Sequence, residues 1–147
     1  MAENTVPVWG KTAKIGSVLV TAANTSSQGG GTIATDIFLA ATMGANGGYV
    51  RMIQWIPTAT TPTTTTGTVG RVFASTVASG TTTSANTYLI WEQTLQAFGA
   101  DNATVAVPGY YQVIEQAFPA NATVLCTNHA APAANTAWRL VVYWTDY

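Results

Sequence analysis

Apolar and polar positions alternate along most of this chain. Short runs of Val, Ile, Thr and aromatic residues are broken by Gly, Pro, Asn and Ser, the pattern of strands joined by turns. Eight runs stand out, at residues 14–22, 32–40, 48–56, 68–76, 86–94, 110–116, 122–128 and 137–144. The last is the clearest: Trp138, Leu140, Val142 and Trp144 share one parity and Arg139 and Tyr143 the other, so the even positions are expected to face a core. In the second run Ile33, Ile37 and Leu39 share a face opposite Asp36. In the third, Val50 and Met52 alternate against Ile53 and Trp55, a change of parity that a β-bulge near Arg51 reconciles. Cys126 shares the parity of Val124 and reads as a small core residue. No run keeps a 3.6-residue apolar period, which predicts little helix; residues 92–101 have room for one turn.

The connections carry turn chemistry. Gly clusters at residues 24–32 and 43–49, and Pro with Gly or Asn at 108–110 and 118–122, mark corners. Links of this length suit a two-sheet sandwich better than a string of tight hairpins, so the expected fold is an all-β, single-domain, antiparallel β-sandwich, jelly-roll-like, with about eight strands. The Thr-rich tract at residues 58–66 is the one candidate linker. Cutting there would leave pieces too small for two good cores, so the tract is expected to be an exposed loop between the third and fourth strands. Residues 1–13 are then an extended N-terminal arm and 14–147 the sandwich domain.

Composition changes the picture in one respect. Only 7% of residues are charged, against about 25% in ordinary globular domains, and 26 threonines supply a polar but neutral surface. Such a surface can be buried against another protein without stripping water from ions, which points to a life in an assembly. Five scattered Lys and Arg residues cannot form the clustered positive field that nucleic acid needs. No apolar run approaches the roughly 20 residues of a membrane helix. The N-terminus has Glu3 and no basic region ahead of an apolar stretch, so the chain is expected to be made and kept in a cytoplasm.

Candidate chemistry is sparse. Cys126 with His129 could be a nucleophile and its base or two metal ligands, but no third group stands near them in sequence. Glu92 and Glu115 could form a glycosidase-type pair only if folding brought them together. No catalytic, metal or cofactor site is therefore assigned, and no cofactor is expected. The aromatics are the remaining candidates, as core, as subunit contacts or as a sugar-binding platform. Trp9, Tyr49, Tyr110, Tyr111 and Tyr147 are the candidate assembly contacts, since aromatics near chain ends have little of their own domain to pack on.

The order of these motifs resembles a family of small bacteriophage virion proteins. The early "TAANT", the "GANG" before a strand with the lone Arg51, the Thr-rich loop leading into "GTVGRVFA", the "FPANA" corner and the terminal Asp146-Tyr147 carry the resemblance, which spans residues 14–147. It implies a jelly-roll-like sandwich in the particle, without enzyme activity, as a capsid decoration (cement) protein. The partners implied are the major capsid protein and copies of the chain itself, with a trimer around a local three-fold axis as one arrangement, in a virion assembled in the host bacterial cytoplasm. A tail or fibre component and a carbohydrate-binding β-sandwich remain as alternatives.

Overall fold

A computed structural model describes residues 12–59, 65–98 and 109–147. Ten strands make up the regular structure: β1 (Thr12–Val20), β2 (Gly31–Thr32), β3 (Phe38–Thr42), β4 (Gly48–Ala59), β5 (Thr68–Ser75), β6 (Thr81–Thr82), β7 (Thr87–Leu95), β8 (Tyr110–Phe118), β9 (Thr123–Asn128) and β10 (Thr136–Asp146). Among the described residues there is no helix. The proposed arm, with Trp9, lies outside the described residues, as does the middle of the Thr-rich tract.

Eight of the strands form two antiparallel four-stranded sheets, in the orders β1-β10-β4-β8 and β3-β9-β5-β7. Counting only these eight, the orders are first-eighth-third-sixth and second-seventh-fourth-fifth. Each sheet thus interleaves strands from both halves of the chain, which is the double Greek key of a jelly roll. The sequence expectation of a sandwich is met, with two differences. The 32–40 run is not one strand: Asp36 accepts the Thr32 amide at 2.6 Å and Ala34 takes a positive φ of 69°, so residues 33–37 form a turn and β3 begins only at Phe38. The Thr-rich tract is not wholly an exposed loop. Its first residues extend β4, and Thr65 is buried, exchanging hydrogen bonds with Phe98.

The core follows strand parity. Trp138, Leu140, Val142 and Trp144 of β10 all point inward, as the alternation predicted, and meet Val72, Val124, Cys126 and Leu95 of the facing sheet. The bulge near Arg51 is present. Both neighbours of β4 skip that residue, Tyr143 pairing with Met52 and Trp144 with Val50 on one side, Val50 with Gln116 and Met52 with Val113 on the other. The skip lets Val50, Ile53 and Trp55 all be fully buried. A second cluster, Ile37, Phe73 and Leu125, lies on the outer side of the β3-β9-β5-β7 sheet. The loop before β3 folds over it, with Gly29 packed so tightly on Thr87 and Phe73 that a side chain would have no room. The loop is fastened by the β2–β6 pair and by Asn24, whose side chain bonds Gly30 and Ser26.

Two contacts close the β1 side. At Gly16 the backbone comes so near β3 that an added Cβ would stand 2.3 Å from the Ala40 carbonyl oxygen and 2.9 Å from the Trp144 ring. Asp146 ties three elements together, accepting from Lys14 Nζ on β1, from the Gly44 amide at 3.0 Å and from Trp144 Nε1 at 3.1 Å. The Lys14 ammonium holds the Asp146 carboxyl below its ordinary value against partial desolvation, and the Gly44 amide and Trp144 indole pull the same way.

Gly16→Ala is expected to force the sheets apart and cost about 1–3 kcal/mol, read as a lower urea midpoint at unchanged slope. Because the folded-state pKa of Asp146 is depressed, its contribution is fully present above the ordinary value of 3.8 and is lost as pH falls through the folded value. Urea midpoints recorded between about pH 6 and about pH 2 should therefore fall more steeply on acidification for the native chain than for Asp146→Asn, and parallel curves would rule the clamp out.

Candidate functional site

The polar constellations that sequence alone left open are not assembled. Cys126 points into the core, fully buried, with its thiol against the Phe38 carbonyl, and burial pushes its pKa far up. His129 lies beyond the end of β9, exposed, with Nδ1 3.4 Å from an Arg71 guanidinium nitrogen. Because arginine only donates, that histidine nitrogen accepts. Glu92 sits on β7 and is bonded at 2.6 Å to the buried Arg71, whereas Glu115 sits on β8 in the other sheet. Among the described residues no group of three or more His, Cys, Asp or Glu could hold a metal ion.

The feature that does stand out is the outer face of the β1-β10-β4-β8 sheet. Since the even residues of β10 face the core, its odd residues face out, and the ladder registers carry that face across all four strands. One row runs Ile15, Tyr143, Met52, Val113. The next runs Ser17, Val141, Gln54, Tyr111, and a third runs Leu19, Arg139, Ile56. Four of the six large apolar side chains most exposed among the described residues are here: Ile15 at 70%, Tyr111 at 68%, Val113 at 53% and Leu19 at 41%. On the opposite sheet the chain's own loop covers the middle of the outer face at Phe73 and Leu125, whereas in these three rows, among the described residues, Val141 alone is buried. Large contiguous apolar patches on protein surfaces are enriched at interaction sites.

The first row sinks into a groove of about 460 Å³, walled by Ile15, Met52, Val113 and Tyr143. Arg51 and Glu115 line the same groove, placed there by backbone irregularity. Arg51 is the residue that both neighbouring ladders skip, and Glu115 opposite takes a positive φ of 49°. A bulge re-aims a side chain in this way without breaking the sheet. The surface is therefore apolar around the first row, with Lys14, Arg51 and Glu115 lining its groove and Arg139 in the third row. It can bind by excluding water, at about 1.5–3 kcal/mol for each large side chain fully covered.

The aromatics singled out by sequence separate. Tyr111 stands on this face. Tyr110, of opposite parity, packs its ring 6.0 Å from that of Trp138 and accepts the Gln96 amide on its hydroxyl. Tyr49 is half-buried on the same outer face, in the row Ala13, Thr145, Tyr49, Ala117, and Tyr147 is half-buried at the end of β10 with its amide on the Gly47 carbonyl. Ile15, Leu19, Met52 and Val113 were not candidates, although their parity against the core residues of the same strands carries the signal.

No protein-family model matches the chain, and no curated protein does either. Among solved structures it is similar to a chain of the cyanophage Pam1 capsid asymmetric unit, at 15% identity and a TM-score of 0.43, over 99% of this chain and 94% of that one.

Proposed function

We propose that the protein is a non-enzymatic structural component of a bacteriophage particle. In this reading it is a capsid decoration protein, seated on the outer capsid surface and stabilising it by bridging subunits, the major capsid protein and copies of itself. The observation that carries the reading is the apolar face on β1-β10-β4-β8, where Ile15, Leu19, Tyr111 and Val113 are exposed among the described residues, whereas the middle of the other outer face is covered by the chain's own loop. The low charge supports it, since few ions need be desolvated when such a face is buried. So do the jelly-roll strand order and the motif order that resembles small phage virion proteins. The site of action is the virion, after synthesis in the host cytoplasm. A two-tyrosine sugar platform is disfavoured, because Tyr110 and Tyr111 point to opposite faces of β8 and Tyr110 is engaged with Trp138.

The test is co-sedimentation of the purified protein with undecorated phage capsids. Stoichiometric binding is expected. Met52→Glu and Val113→Glu should each weaken it at least about ten-fold, which is about 1.4 kcal/mol. Both side chains are on the outer face, so the unfolding free energy from urea titration should stay within about 0.5 kcal/mol of the native value. A protein that remains in the supernatant, or variants that bind as the native chain does, would remove the reading.

A further inference from the structure

The two sheets have four edges, and three of them are irregular. β3 is five residues long and shifts register against β9 between Leu39 and Ala41. The β7 ladder shifts between Val72 and Phe73 of its partner. β8 is bulged at its left-handed Glu115, and the Gln112 side-chain amide occupies the Val113 carbonyl. Bulges, short strands and capped carbonyls are the devices by which proteins keep sheet edges from pairing with other chains.

β1 has none of them. It pairs with β10 over nine residues without a register shift and contains no proline. Among the described residues none of its backbone groups bonds anywhere but to β10. Its one charge, Lys14, is held by Asp146 of its own sheet. Its outer side carries Ile15 and Leu19, both exposed, placed symmetrically two residues either side of the exposed Ser17.

We propose that β1 pairs antiparallel with β1 of a second copy about a two-fold axis at Ser17. In that register Ile15 of each copy lies opposite Leu19 of the other, so the two exposed apolar side chains on each edge cover one another and the free backbone groups of both strands are satisfied together. A shift by one residue breaks the match, because outward and inward side chains then oppose one another. Charge permits the approach: Lys14 falls opposite Val20, which puts the two lysines about 20 Å apart along the strands, at about 3.3 Å per residue and well beyond the screening length of about 8 Å in physiological salt. The result is a continuous eight-stranded sheet that doubles the apolar face on one side. This rests on the reading of the protein as an assembly subunit and names which partner meets which surface: a second copy on the β1 edge, leaving the sheet face for the particle.

An edge about 30 Å long makes an interface smaller than the standard of about 1,600 Å². The dimer should therefore be weak in solution and strengthened by many copies on one particle.

The experiment uses the full chain. Ser17→Cys under mild oxidation should give a disulfide-linked dimer at least about ten-fold faster than Ser79→Cys, which places a thiol on an exposed loop; directly opposed strand residues lie within disulfide reach. Cys126 is fully buried and stays out of the reaction. In sedimentation velocity the native chain should shift from monomer to dimer as concentration rises, and Ile15→Lys with Leu19→Lys should reduce the dimer fraction about ten-fold at unchanged near-UV circular dichroism. The proposal is overturned by cross-linking no faster than at Ser79→Cys, by a trimer indifferent to the lysine changes, or by a monomer whose β1 amides exchange slowly throughout, since the chain's own N-terminal residues would then cover the edge. Capsid binding measured on the same samples separates the two readings. A monomer that still co-sediments removes only the edge pairing, and a Ser17→Cys dimer that ignores capsids removes only the capsid reading.

Discussion

Burial of one face of β10 is the constraint on which the rest of the molecule depends. This strand lies between β1 and β4, and its even residues, two of them tryptophans, fill the space between the sheets. Once they point inward, the pleat leaves no choice about Arg139, Val141, Tyr143 and Thr145, which must face out. Register then propagates that outward parity to β1, β4 and β8. The apolar outer face is thus a consequence of the same ladder that builds the core, with side chains chosen to be apolar on both sides of the sheet.

The few charges fit this division. Lys14 and Asp146 fasten β1 to the far end of β10 and to the loop before β4, and the buried Arg71 is matched by Glu92. These ions serve the fold, leaving the apolar rows nearly uncharged apart from Arg139 and the Arg51 and Glu115 margins of the groove. Solubility falls to threonine and to amide side chains, which cost less to desolvate than ions when a partner arrives. A protein built this way gives up long-range steering and gains a surface that can be buried.

Backbone irregularity is distributed with the same logic. At Arg51 the bulge restores inward parity to Ile53 and Trp55 and at the same time sets the rim of the groove. At β8 it spoils the edge. Between Thr32 and Phe38 a turn replaces the strand, freeing the preceding loop to lie over Phe73 and Leu125. Among the sheet-edge strands β1 alone pairs without a register shift, and Gly16 is what lets it sit flat against β3.

Parity and turn chemistry, read from the chain alone, determined the sheet class, the inward face of β10, the core role of Cys126 and the bulge at Arg51, because a strand's alternation is a local property that one run of residues records. The turn at residues 33–37 escaped that reading, since Asp36 can cap a backbone amide only when the chain has already curled back on it. Thr65 looked like part of a polar loop and is buried because Phe98, 33 residues away, supplies its hydrogen bonds. Sequence could not choose among the aromatics or foresee that Ile15, Leu19, Met52 and Val113 share one exposed face. Whether an apolar side chain is covered depends on which strand lies beside it and what passes over it, and both are decided by contacts between residues far apart in the chain, which only the tertiary structure brings together.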